Sequence, residues 1–226
     1  LTGTLSSDQG RDRLKKEMHL IMEKRRCFLF GFLIGVLALT FFPNISHSAA
    51  PGRYRDWNDI DEVEVFESFR LSDYSKIVVL PLDTESAKLP PRDDNTYKPV
   101  KEVLAKADEI FRKGLKDKVA DKIKIVFEDR VPPKEDQATE GKVLILKGRI
   151  TEINPGSRAL RIWVGFGAGK SRVEVEGELA DAKSQKILLK FKQGRIAAMD
   201  ARNYEKTLQS DLERIGKDIG NLLKEL

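Results

Sequence analysis

The chain has 226 residues, 41 of them basic and 36 acidic, for a net charge of +5. Both histidines, His19 and His47, and the single cysteine, Cys27, precede residue 50. The body that follows therefore has no disulfide, no Ser-His-Asp triad, no Cys-His pair and no ordinary zinc site.

Most of the charge excess sits in the first 49 residues, which hold seven basic and four acidic side chains. The rest carries 34 and 32, a net of +2. That balance gives no electrostatic case for nucleic acid.

Residues 1–17 read as an extension upstream of the expected start at Met18 or Met22, with a cytoplasmic tail as the other reading. Lys24-Arg25-Arg26 then leads into an apolar run over 27–42, followed by Ser46-His47-Ser48-Ala49-Ala50. A positive head, a short apolar centre and a small-residue end make residues 18–50 a secretory signal. The apolar run falls short of the ~20 residues of a spanning helix. Cleavage is expected after Ser48, Ala49 or Ala50, with an uncleaved inner-membrane anchor over 27–42 as the alternative. No apolar-then-small lipobox precedes Cys27, so no lipid anchor is expected there. The expected destination is the periplasm or the outer membrane after Sec export. Any membrane contact would come through the N-terminal segment alone.

Residues 51–75 are polar with scattered aromatics and read as an extended arm or a short strand. Lys76-Ile77-Val78-Val79-Leu80-Pro81-Leu82 is a β-branched run suited to a strand buried on both faces, with Pro81 marking an edge or bulge. After a proline-rich loop, Val100, Val103, Leu104, Ala107, Phe111, Leu115 and Val119 mark one face of an amphipathic helix. Residues 122–127 and 143–153 read as strands, and Asn154-Pro155-Gly156-Ser157 as a turn. Residues 161–166 are mixed apolar. Residues 171–179 alternate, with Val173, Val175 and Leu179 on one side and Arg172, Glu174, Glu176 and Glu178 on the other. That is a strand with one wet face. Residues 187–191 return as its partner. From 201 to 226, Leu208, Leu212, Ile215, Ile219, Leu222 and Leu223 form a second helical stripe. Gly216 and Gly220 lie on one side of that helix, where each costs about 1 kcal/mol relative to alanine unless a close approach offsets it.

The fold expected is α/β (α+β): a single domain over 76–226 with a mixed, mostly antiparallel sheet of about five strands. A mid-chain helix and a C-terminal helix pack on it.

Gly165-Phe166-Gly167-Ala168-Gly169-Lys170-Ser171 ends like a phosphate-binding loop. It lacks the first glycine, since Val164 stands there, and an alternating strand follows where a helix is needed. Gly156, Gly165, Gly167 and Gly169 are instead expected to serve a hairpin or bulge. Arg158, Arg161 and Lys170 are the candidate residues for an anion or a partner's carboxylate; a cross-strand salt bridge is the alternative role for the arginines. Glu174, Glu176 and Glu178 read as a solvated strand face rather than an acid–base pair. No catalytic residue, metal or cofactor is expected.

Several of these stretches resemble one family: Gly148-Arg149-Ile150-Thr151-Glu152-Ile153, Pro155-Gly156-Ser157-Arg158-Ala159 with Arg161, the glycine-rich segment through Ser171, and Leu179-Ala180-Asp181-Ala182. The chain resembles the bacterial domain of unknown function numbered 4410 over roughly residues 70–222. The resemblance implies an exported envelope protein, often lipid-anchored in that family, and it assigns no activity. The expected function is a non-enzymatic envelope module that binds another envelope protein or itself. The alternative is a periplasmic domain that binds a small ligand, nucleotide or anion through the glycine-rich loop. A carboxylate hydrolase ranks third.

Overall fold

The computed structural model describes residues 49–119, 121–131, 141–156, 170–197 and 203–226. Its strands are β1 (Gly52–Trp57), β2 (Ile60–Val65), β3 (Lys76–Val79), β4 (Lys124–Phe127), β5 (Val143–Asn154), β6 (Ser171–Asp181) and β7 (Ile187–Ala197). The helices are α1 (Tyr97–Ala105), α2 (Ala107–Val119) and α3 (Tyr204–Glu225). The strands form one sheet in the order β1-β2-β7-β6-β5-β3-β4. β3 runs parallel to β4 and β5, and all other neighbours are antiparallel.

The α+β class matches the sequence expectation, but the sheet has seven strands rather than about five. The difference arises at residues 52–65, expected as an extended arm or a short strand, which fold into a two-stranded hairpin that joins the sheet through β2 and β7. Its turn contains no glycine. Asp56, Asn58 and Asp59 take φ values of 52°, 50° and 65° instead. Short polar side chains tolerate the left-handed region, because they hydrogen-bond locally. The mixed apolar stretch at 161–166 lies outside the described residues.

β3 is interior rather than at an edge, and Pro81 falls just past its end. Ile77, Val78 and Val79 are fully buried, as a strand covered on both faces requires. The chain then continues beside β5. The Asp83 N–H donates to the Gly148 carbonyl at 2.9 Å, and the Lys88 N–H to that of Thr151 at 3.0 Å.

The expected mid-chain helix is two helices, broken at Lys106 (φ −104°, ψ 0°). Asp108 sits in the first turn of α2, where a carboxylate complements the helix dipole. It accepts the Leu82 N–H at 2.8 Å and pairs with Arg112 at 2.8 Å. That fixes the start of α2 to the segment leaving β3.

One core holds the helices and one face of the sheet together. Leu208, Leu212, Ile215 and Ile219 of α3 meet Phe111 and Leu115 of α2 and Val173, Val175 and Leu179 of β6. Gly216 and Gly220 approach α2, not the sheet. A Cβ on Gly220 would stand 2.6 Å from Lys118 Cβ and 3.2 Å from the Leu115 carbonyl oxygen.

Beneath α3 lies a buried polar cluster. Gln193 Nε2 donates to Asp218 Oδ2 and to the Asp59 carbonyl, both at 2.8 Å, while its Oε1 accepts the Asp61 N–H at 2.9 Å. Arg195 Nε also donates to Asp218 Oδ2, at 3.1 Å. Asp211, on the same helix, is 5% exposed, and its Oδ2 has no hydrogen-bond partner. Burial raises its pKa above the ordinary aspartate value, although Arg214 and Arg195 pull the other way.

A raised folded-state pKa favours the folded protein below the unfolded pKa, and the benefit is lost as pH rises through the folded value. Asp211→Asn, which removes the charge at nearly constant shape, is therefore expected to stabilise the protein near neutrality. The gain should shrink as pH falls from about 7 to about 4. Melting temperatures of both proteins across that range check it; a gain that does not vary with pH would contradict it.

Candidate functional site

Strand alternation turns the core residues of β1, β2, β5, β6 and β7 toward the helices and sets a run of charged residues on the other face, while Arg195 of β7 faces α3 and Val143 and Ile145 of β5 join a separate apolar cluster with Val78 and Ala182. Register then decides which charges become neighbours. Arg53 faces Glu64, Glu64 faces Lys190, Lys190 faces Glu178, and Glu178 faces Lys147. Two residues along, Arg55 faces Glu62, Glu62 faces Lys192, Lys192 faces Glu176, and Glu176 faces Arg149. The open face thus carries two rows crossing five strands, each reading plus, minus, plus, minus, plus. Seen along the strands, β1, β7 and β5 are basic columns, and β2 and β6 are acidic ones.

Direct ion pairs join much of this grid. Arg53 Nε lies 2.8 Å from Glu64, Arg149 2.8 Å from Glu176, and Lys147 Nζ 3.2 Å from Glu178. Lys192 Nζ bridges Glu174 at 2.9 Å and Glu176 at 3.5 Å. Thr151 Oγ1 donates to Glu174 Oε1 at 2.8 Å. Lys190 leans over the Phe66 ring, 5.6 Å from its centroid. Cross-strand pairs of this kind contribute about 0.2–1 kcal/mol each. Each pair is therefore a small contribution beside the apolar core on the other face of the sheet.

Glu174 and Lys192 hold each other's charge. Burial alone would raise the Glu174 pKa, but hydrogen bonds from Lys192 and Thr151 outweigh it and hold the carboxyl below its usual range. The hydrogen bond to Glu174 raises Lys192 in turn. Neither group is poised to exchange a proton at pH 7, as general acid–base work requires. Among the described residues, no three His, Cys, Asp or Glu side chains are grouped to hold a metal ion. No described helix is long and apolar enough to cross a membrane.

Of the residues singled out from sequence, Arg158, Arg161, Gly165, Gly167 and Gly169 lie outside the described residues. Lys170 is exposed and directly precedes β6, so the chain leaves Gly-Lys-Ser as a strand. A phosphate loop would need the N–H groups of a helix N-terminus there. The Ser171 hydroxyl is occupied, donating to the Ala197 carbonyl at 3.2 Å. Gly156 takes φ 84°, and its N–H donates to Asn154 Oδ1 at 2.8 Å, a side-chain-closed turn that glycine permits. The basic half of the grid was not singled out in the sequence. Its signal is a like-charged pair at i and i+2 in each strand: Arg53 and Arg55, Lys147 and Arg149, Lys190 and Lys192.

No curated protein sequence matches the chain. Among solved structures it is similar to the PelC dodecamer of Paraburkholderia phytofirmans, at 12% identity and a TM-score of 0.37, over 69% of this chain and 96% of that one. It is similar to the hypothetical protein CT253 of Chlamydia trachomatis at 10% identity and a TM-score of 0.39, over 67% and 89%. For lipoprotein GNA1162 of Neisseria meningitidis the identity is 12% and the TM-score 0.28, over 62% and 97%. The family model described as Domain of unknown function (DUF4410) matches residues 77–201, from β3 through β7, and the chain belongs to that family.

Proposed function

We propose that this domain is a non-enzymatic interaction module of the bacterial cell envelope, exported by the signal in residues 18–50 and acting in the periplasm or at the outer membrane. The observation that carries the reading is the open sheet face, where fixed charges of both signs are spread over five strands. Such a surface suits a complementary macromolecule, because alternating fixed charges select a partner and its orientation. The Glu174–Lys192 pair offers little to acid–base chemistry, since the carboxyl is held below its usual range and the ammonium above its own, which weakens the one as a base and the other as an acid at pH 7.

A photo-crosslinking residue placed at Arg149 or Lys192, in intact envelopes, tests this. The expected result is a discrete adduct, with another envelope protein or a second copy, that is absent when the same group replaces exposed Lys116 on α2. Adducts that do not depend on position would remove the face as an interaction surface. Cofractionation with cytoplasmic markers would remove the envelope assignment.

A further inference from the structure

The basic columns of the grid are not equivalent. β7 lies between two acidic strands, β2 and β6. β1 has the acidic strand β2 on one side and, among the described residues, no strand on the other. It is a basic column lacking its second acidic neighbour.

The two faces of β1 say what would fill that place. Arg53 and Arg55 project from the open face, and the Arg53 side chain is 83% exposed. Tyr54 and Trp57 are half-buried against the core, with ring centroids 4.8 Å apart, and form a ledge on the opposite face. A strand added along β1 would hydrogen-bond to its main chain and place alternate side chains on these two surfaces. One set would meet the arginines and the other the aromatic ledge. The matching segment alternates acidic and apolar residues. The protein already fills both strand positions beside β7 this way, with Glu62-Val63-Glu64-Val65 in β2 and Val173-Glu174-Val175-Glu176 in β6.

A second copy does not supply such a segment from its described edges. Two β1 strands paired antiparallel would set arginine against arginine, which is unfavourable. The other edge strand, β4, offers Lys124-Ile125-Val126-Phe127, which has a lysine and no acid. Both acidic strands are interior.

We infer that the free edge of β1 is a docking site for an extended segment of another protein that alternates acidic and apolar residues. This rests on the interaction-module reading and names the partner's chemistry.

The test uses the full chain in detergent micelles and a fluorescent eight-residue peptide of alternating glutamate and valine. A lysine–valine peptide is the control. At low salt the glutamate peptide is expected to bind about tenfold or more tightly than the lysine peptide. It should also slow hydrogen exchange of the β1 amides. The Arg53→Glu, Arg55→Glu double variant should reverse the preference, and the Arg53→Gln, Arg55→Gln variant should abolish it. Circular dichroism and melting temperature establish that each variant is folded. Equal binding of the two peptides, no binding, or binding that ignores both double variants would overturn the inference. Those results leave the module reading standing as long as the Arg149 and Lys192 adducts form; loss of the adducts sinks that reading itself.

Discussion

Replacing Gly114 by alanine is expected to lower the unfolding free energy by about 1–3 kcal/mol, although alanine normally stabilises a helix interior by about 1 kcal/mol over glycine. The reversal comes from how closely α2 and α3 approach. A Cβ on Gly114 would collide with the Glu213 carbonyl oxygen and stand 3.2 Å from the Lys217 nitrogen. The facing Gly216 is as tight, since its Cβ would collide with the Phe111 carbonyl oxygen and lie 3.0 Å from the Leu115 nitrogen. These obstacles are backbone, which cannot swing aside as a side chain can. The helices must separate, and the apolar contacts among Phe111, Leu115, Leu212 and Ile215 loosen with them. Gly216→Ala should cost a similar amount. The double variant should cost less than the two singles together, because the first substitution already opens the shared contact. Urea unfolding followed by far-ultraviolet circular dichroism measures all three. A Gly114→Ala protein as stable as the parent would show that the approach is softer than the geometry indicates.

These glycines also mark how far the sequence could be read. The stripe on α3 and the alternation on β6 were legible because their apolar period is clean. Gly216 and Gly220 stood out as costly, so an approaching neighbour was predictable. Nothing in the spacing identified that neighbour as α2, because Gly114 looks like any other glycine until the helices are placed. The β1–β2 hairpin reads in sequence only as an extended arm or a short strand, for a different reason. Its turn uses Asp56, Asn58 and Asp59 in the left-handed region without glycine, and β1 spends half its positions on charge. The break at Lys106 has no proline or glycine to announce it.

The candidate site shows the same limit more sharply. Glu174, Glu176 and Glu178 read correctly as a solvated strand face. Each charged strand, taken alone, says no more than that. Only register converts five such strands into alternating columns, and register is a property of the assembled sheet. That β1 is an edge among the described residues is visible only once strand order is known.

Asp218→Ala is expected to destabilise the protein by about 2–4 kcal/mol, one of the largest effects of any polar substitution in this domain. The Asp218 side chain is 9% exposed, and its Oδ2 receives hydrogen bonds from Gln193 and from two nitrogens of Arg195. Removing it leaves a buried amide hydrogen and a partly buried guanidinium without their acceptor. The cost should stay below that of a fully buried pair, because Arg195 keeps 33% of its side-chain surface in water. Gln193 cannot turn to compensate, since its other contacts hold the Asp61 N–H and the Asp59 carbonyl at the β1–β2 turn. The loss should therefore reach the hairpin as well as α3. Hydrogen exchange should quicken at Asp61, whose N–H is bonded to Gln193, more than at Val175 in the middle of the sheet. Asp218→Asn, which keeps an acceptor but not the charge, should cost less than Asp218→Ala. In a double-mutant cycle, Arg195→Ala should be far less damaging once Asp218 is already gone. If the two substitutions were simply additive, Arg195 and Asp218 would not be coupled, and the tie between α3 and the hairpin would rest on Gln193 alone.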